Sequence, residues 1–196
     1  MRQPPGQGDA TETAPRSSSR YSIRRAAPDD ARAIAETGVI GWRTAYRDLL
    51  PSAYLDGMAI DSREVAWRHL LEADADGRTP AWVGEEASGV VGFVSGGPPR
   101  DADVAPPAAE IYAIYLRPEA RRNGLGTALM DAAVAHLRSA GATYLVLWVF
   151  EANAPARAFY EALGWVPDGG RQALLVGGVK AIEVRYRLAD PWVTRA

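Results

Sequence analysis

A chain of 196 residues with 47% hydrophobic content can bury one sizeable core, covering about 70% of the surface its unfolded form exposes. A formal net charge of -2 argues against a basic nucleic-acid-binding face, and no apolar run approaches the roughly 20 residues of a membrane span, so neither partner is expected. Without cysteine there is no disulfide, thiolate nucleophile or Cys-built zinc site; only His69 and His136 remain for metal chemistry, so no metal is expected, and a cytoplasmic setting is compatible.

Residues 1–19 are rich in Pro, Gly, Ser and Thr and nearly free of large apolar side chains. They are expected to form a disordered tail ahead of one domain at 20–196. YSIRRA then reads as an opening strand. The following PDDARAIAETGVIGWRTAYRDLL is helical in pattern, with Pro28, Asp29 and Asp30 suited to a first turn. Gly38 and Gly41 predict two helical pieces with a bend rather than one rod. AIDSREVAWRHLLEA is a further helix, with Asp61 or Ser62 as its cap. TPAWVGEE and GVVGFVSGG form a hairpin, and the proline-rich Pro98–Ala109 is expected to be a long exposed loop whose Asp101 and Asp103 read as solvated charges.

The clearest strand is EIYAIYLRP, ended by Pro118; the clearest helix is GTALMDAAVAHLRSAG, closed by Gly141. The nearly all-apolar TYLVLWVF predicts a central strand covered on both faces. NAPARAFYEALG is a short helix that Asn153 can cap, and WVPDGG and KAIEVRYRL are the last strands, joined across a long loop. The alternation implies a mixed α/β sheet with helices against it.

Between the clearest strand and the clearest helix lies RRNGLG, Arg121 to Gly126. A glycine-containing turn entering a helix gathers backbone N–H groups at the positive end of the helix dipole, which favours an anion such as a pyrophosphate. A Walker A loop is excluded because no Lys-Ser or Lys-Thr follows, and the chain has a single lysine, Lys180. A full GxGxxG fingerprint is also missing. On the hexamer alone, an anion site and a plain exposed corner are both compatible.

The longer run IYLRPEARRNGLGTALM resembles the acyl-coenzyme A binding segment of the GCN5-related N-acetyltransferase family, matching it at Arg121, Gly124 and Gly126 with Pro118 ahead. NAPARAFYEALGWVPDG is similar to the family's second signature at Asn153, Phe159, Tyr160, Gly164 and Trp165, the tryptophan standing where the family more often has phenylalanine. The resemblance implies a mixed, mostly antiparallel sheet of six to seven strands with flanking helices, and an acyl-CoA cleft between splayed fourth and fifth strands. It implies acetyl-CoA as cosubstrate, held by Ile114, Leu116, Arg121, Arg122, Asn123, Gly124, Leu125, Gly126, Thr127 and Asn153.

The Leu116 backbone N–H matches the family position that polarises the thioester carbonyl. Tyr160 matches the tyrosine that protonates the departing thiolate, although a buried core tyrosine is the plain alternative. Glu110, at the opening of its strand and the cleft mouth, is the candidate base, with Glu85 behind it. Tyr112 is placed to position the amine; Trp42 and Tyr46, one helical turn apart, are placed to wall the acceptor or pack the lid. Their surroundings, GWRTAYRDLLPSAYLD, resemble a subgroup found widely in bacteria. The implied partner is a small-molecule amine or a peptide or protein amine. Homodimerisation is common in the family. A non-catalytic acyl-CoA-binding module, transfer to oxygen and a longer acyl chain remain open.

Overall fold

The structure, a computed structural model, describes residues 20–74 and 76–189, so the expected tail at 1–19 lies outside the described residues. Strand β1 (Ser22–Arg25) leads through a short 3-10 turn into helix α1 (Ala31–Ala45). Asp30 ties the two together: its carboxylate accepts the Ala27 N–H at 2.8 Å and pairs with the Arg24 guanidinium at 2.6 and 2.8 Å.

Helix α1 is unbroken, contrary to the bend expected at its glycines. The reason is packing. A Cβ on Gly41 would stand 2.5 Å from the Tyr115 ring, and one on Gly38 would stand 3.7 Å from Phe93. Glycine costs a helix interior about 1 kcal/mol relative to alanine. Here that loss is offset by the close approach of α1 to the sheet. Gly41→Ala should therefore lower unfolding free energy by about 1–3 kcal/mol through overpacking against Tyr115, read from the midpoint of urea denaturation. An unchanged or raised midpoint would contradict this account of the glycine.

Helices α2 (Ser52–Asp56) and α3 (Ile60–Ala73) follow on the same side. The strands β2 (Ala81–Glu86), β3 (Gly89–Gly97) and β4 (Ala108–Leu116) then form a meander. Helix α4 (Leu125–Ser139), strand β5 (Tyr144–Phe150) and helix α5 (Ala154–Ala162) complete the central part, and β6 (Val166–Val176) and β7 (Val179–Ala189) close it. The last two strands are longer than expected and their connection far shorter. Gly177 and Gly178 alone turn the chain, with φ of 59° and 82°, which is the left-handed pair a two-residue hairpin requires.

The seven strands form one sheet in the order β1-β2-β3-β4-β5-β7-β6, antiparallel throughout except for β4 beside β5. One face packs on α4 and α5 through Leu125, Leu129, Ala133, Leu137, Leu145, Leu147 and Trp165; the other packs on α1, α2 and α3 through Ile34, Val39, Phe93 and Phe150. The sheet is thus mixed, mostly antiparallel and covered on both sides, as expected.

Two irregularities of β4 shape the site. Its register with β3 slips, so that Gly96 faces Ile111 but Ser95 faces Ala113, which leaves Tyr112 as the extra residue of a bulge. Its pairing with β5 stops early, running only from Ala108↔Tyr144 to Ile111↔Leu147. Beyond that point β4 stays with β3 and β5 stays with β7, and the two strands part.

Candidate active site

The parting of β4 and β5 opens a cleft of about 1520 Å³. That exceeds the roughly 300–1,000 Å³ of a single small-molecule site and leaves room for two reactants. Arg117 donates its backbone N–H to Val91 O on β3, at 2.8 Å. By the two-residue period of a strand, Tyr115 and Ala113 also turn their main-chain groups toward β3, so those of Leu116 and Ile114 point into the cleft. The splay thus leaves a strip of strand edge there that pairs with no second strand among the described residues.

At one end of this strip lies the turn into α4. Arg122 holds φ at 60° and Gly124 at 89°. A left-handed arginine is strained, and such strain persists where surrounding structure enforces it, often at ligand clamps. The first intrahelical bond runs from Ala128 N–H to Gly124 O at 3.0 Å. The N–H groups of Gly126 and Thr127 precede it and have no carbonyl one turn back. Gly126 has no room for much more: an added Cβ would meet the Phe159 ring at 3.3 Å. Arg121 leans on Leu116 O through its Nε and one terminal nitrogen, both at 3.4 Å. Here a polyanion finds two arginines, a helix N-terminus and no obstructing side chain.

Ile114, Leu116, Arg121, Arg122, Gly124, Gly126 and Thr127 all line the cleft. Asn123 and Leu125 do not. The Asn123 Oδ1 accepts the Leu125 N–H at 3.1 Å, which braces the turn from behind, and the Leu125 side chain is fully buried in the core.

Inside the cleft, Tyr160 projects from α5 and is only 9% exposed. Its ring stands 5.4 Å from that of Phe159 and 6.4 Å from that of Trp165. Among the described residues its hydroxyl has no hydrogen-bond partner. Burial, with the Tyr46 hydroxyl nearby, pushes its pKa above the ordinary phenol range. Tyr115, partly buried, is also raised well above the ordinary phenol range by its desolvation, and its hydroxyl lies 3.4 Å from that of Tyr46, itself raised by burial. The cleft therefore holds a cluster of phenols that keep their protons at neutral pH. Asn153 does two jobs at once. Its Oδ1 accepts the Ala156 N–H at 3.2 Å and so caps α5, while its side chain reaches the Tyr46 hydroxyl at the cleft wall.

The other half of the cleft is walled by Trp42, Tyr46 and Phe150, whose rings meet edge-on at 4.8 to 6.4 Å. Trp42 and Tyr46 pack the α1–α2 layer and also line the cleft. Glu110 stands differently from the expectation of a carboxylate open at the mouth. It is 0% exposed, on the stretch of β4 that still pairs with β5, at the closed end. Arg100 grips it: Nε and NH2 donate to Oε1, the former at 3.0 Å, and the backbone N–H donates to Oε2 at 2.9 Å. The guanidinium also lies over the Tyr112 ring, 4.8 Å from its centroid, and Tyr112 donates its hydroxyl to Pro98 O at 2.6 Å. Glu85 is bound by Arg24 and lies away from the cleft.

The proline-rich loop carrying Arg100 is pinned rather than free. Asp101 accepts from Trp148 Nε1 at 2.8 Å and from Arg185 at 3.0 Å, and Asp103 and Asp168 bind the same Arg185 at 2.9 and 2.8 Å. Of the two loop aspartates read as solvated charges, Asp101 is drawn in against the buried Arg185, while Asp103 pairs with the same arginine and stays 70% exposed. Arg100, Tyr115 and Glu183 are cleft residues that sequence reasoning missed. Arg185 and Glu183 alternate with Val184 and Tyr186 along β7, and that period was the available signal for them. His69 is exposed, and His136 packs edge-on to Trp82 with ring centroids 5.2 Å apart.

The family model for acetyltransferases (GNAT family) matches residues 41–165. The chain is 32% identical over 142 residues to an uncharacterized N-acetyltransferase of Bacillus subtilis (strain 168), which covers 72% of this chain and 78% of that one. The PaiA N-acetyltransferase of Thermoplasma acidophilum, solved in complex with coenzyme A, superposes with a TM-score of 0.65 at 18% identity, over 86% of this chain and 98% of its own. A ribosomal-protein-alanine N-acetyltransferase from Brucella melitensis gives a TM-score of 0.65 at 20% identity, over 86% and 99%. The last two likenesses are of fold. With the signatures around Arg121 and Tyr160 inside the matched span, the chain belongs to the acetyltransferase (GNAT) family.

Proposed function

We propose that this protein transfers an acetyl group from acetyl-CoA to a primary amine by direct attack in a ternary complex, in the cytoplasm. The observation that carries the reading is the splay of β4 from β5, with an anion-binding turn at one end and a protonated, unpartnered phenol inside. Acetyl-CoA, when bound, supplies an activated acetyl thioester. Every residue in reach has a task consistent with that. Arg121, Arg122 and the N–H groups of Gly126 and Thr127 hold the phosphates, and the inward main-chain groups of Leu116 and Ile114 pair with the pantetheine arm. Ile114 lies deeper than Leu116, farther from the phosphates, so its N–H, in place of the Leu116 N–H expected from the sequence, is the one nearer the thioester carbonyl. A backbone donor there stabilises negative charge as it develops on that oxygen.

Attack by an amine requires one proton to leave nitrogen and another to reach the departing sulfur. Tyr160, which keeps its phenolic proton at neutral pH, gives that proton to the sulfur. Glu110 takes the amine proton through a water at Oε2, the oxygen that Arg100 engages by a single backbone N–H. Tyr112 holds Arg100 in place by stacking under its guanidinium. With no cysteine in the chain, direct transfer is favoured over an acyl-cysteine intermediate.

The test is thiol release from acetyl-CoA against a panel of primary amines, with the product identified by mass spectrometry. Amine-dependent release with an N-acetyl product is the expected result. Tight acetyl-CoA binding without transfer to any amine would favour a sensing module, and acetylation of alcohols alone would favour transfer to oxygen.

A further inference from the structure

The acceptor half of the cleft holds a half-buried carboxylate that pairs with no cationic side chain among the described residues. Glu183 lies on β7 opposite Phe150, at the splayed end of β5. Its Oε2 accepts Gln172 Nε2 at 2.9 Å, and among the described residues it forms no ion pair within 4.0 Å. Of the other acids lining the cleft, Glu110 is taken by Arg100 and Asp101 by Arg185, while Asp48 is exposed to solvent, where an unpaired charge costs little. Around Glu183 the walls are apolar or aromatic: Leu49, Trp42, Tyr46, Leu174, Val176 and Phe150.

Burial raises the Glu183 pKa above the ordinary carboxylate range, and Glu110 and Asp101 add to this while Gln172 and Arg100 oppose it. The Tyr46 hydroxyl faces it as well, its own pKa raised in part by Glu183. A half-buried carboxylate without a cation is costly, and the cost falls when an ammonium arrives. Aromatic faces attract the same cation. A carboxylate beside the amine would meet Glu183 and Glu110 with Arg100 already committed, so a zwitterionic amino acid fits poorly.

We infer that the acceptor is an alkylammonium on an apolar body, without a carboxylate next to the amine, and that Glu183 is the residue that selects it. This rests on the acetyl transfer proposed above. The same chemistry is offered by a free monoamine and by a lysine side chain of a polypeptide. The experiment compares initial rates for butylamine, 2-phenylethylamine, phenylalanine and Nα-acetyl-lysine amide, in wild type, Glu183→Gln and Glu183→Asp, with acetyl-CoA binding followed by calorimetry.

The expected result is a kcat/KM at least about tenfold higher for the best cationic amine than for phenylalanine. Glu183→Gln should reduce that value about 10- to 100-fold through KM, with acetyl-CoA affinity unchanged, and Glu183→Asp should recover part of the loss. The wild-type KM for the amine should fall as pH rises through the raised Glu183 pKa, because ionisation creates the charge that binds the cation; the glutamine variant should lose this limb. Preference for the free amines identifies a small-molecule acceptor, and preference for the blocked lysine identifies a polypeptide. The inference is overturned if Glu183→Gln matches wild type, if phenylalanine is preferred, or if none of the cationic amines is acetylated. Rates and calorimetry keep the two readings apart: acetylation of any substrate in those cases leaves the transferase standing, acetyl-CoA binding without transfer to any amine favours a sensing module, and no binding in wild type removes both readings.

Discussion

Tyr160→Phe should lower kcat for acetyl transfer by roughly 10²-fold, the low end of what a placed general acid contributes. The substitution removes only the hydroxyl, which has no partner among the described residues, and keeps the ring against Phe159, Trp165 and Tyr186. Folding should therefore be unaffected, with the thermal midpoint of the variant matching wild type. Acetyl-CoA affinity should also hold, so that kcat and kcat/KM fall together, the pattern of an interaction made only in the transition state. A kcat within about twofold of wild type would assign Tyr160 to packing and remove it from the chemistry.

Gly126→Asp should separate binding from folding at the other end of the cleft. The position lies in the first turn of α4, where a carboxylate is favourable to the helix dipole by about 0.3–1 kcal/mol, which offsets the crowding of its Cβ against Phe159, so stability should change little. The same charge stands where the account places phosphate oxygens. Repulsion, together with loss of the open approach that glycine provides, should weaken acetyl-CoA by more than about 10²-fold in calorimetric titration. Gly126→Ala is the control. Its methyl group would sit 3.3 Å from the Phe159 ring, a contact that small ring motion relieves, and it brings no charge. An aspartate variant that binds acetyl-CoA like wild type would place the phosphates elsewhere.

The order of elements and the anion-binding turn were legible because their signals are local. RRNGLG carries its left-handed positions in four consecutive residues, Arg121 to Gly124, and Asn153 precedes a helix that it caps. What escaped was set by partners distant in sequence. Gly38 and Gly41 look like helix breakers until Phe93 and Tyr115 are seen against them. Gly177 and Gly178 form a turn signal in themselves, yet the stretch before them, Arg171 to Val176, was read as loop because Pro167 and the Gly169–Gly170 pair interrupt the strand pattern ahead of it. The splay of β4 from β5 leaves no mark in either strand's own composition.

At the site, residue types were easier to read than their states. Glu110 does line the cleft, but its partner Arg100 sits in a proline-rich loop that no periodicity describes. That loop is held by Arg185, which lies 84 residues from Asp101 along the chain. Glu183 belongs to the last strand, beyond both family signatures, where only the cleft geometry brings it beside Tyr46 and Gln172.

The central claim is that acetyl-CoA lies between β4 and β5, and diffraction from crystals of the protein grown with acetyl-CoA tests it most directly. The account predicts phosphates on the Gly126 and Thr127 N–H groups beside Arg121 and Arg122, the pantetheine arm paired with Leu116 and Ile114, and the sulfur facing the Tyr160 hydroxyl. Density for the cofactor outside the splay, or a sulfur remote from Tyr160, would contradict it.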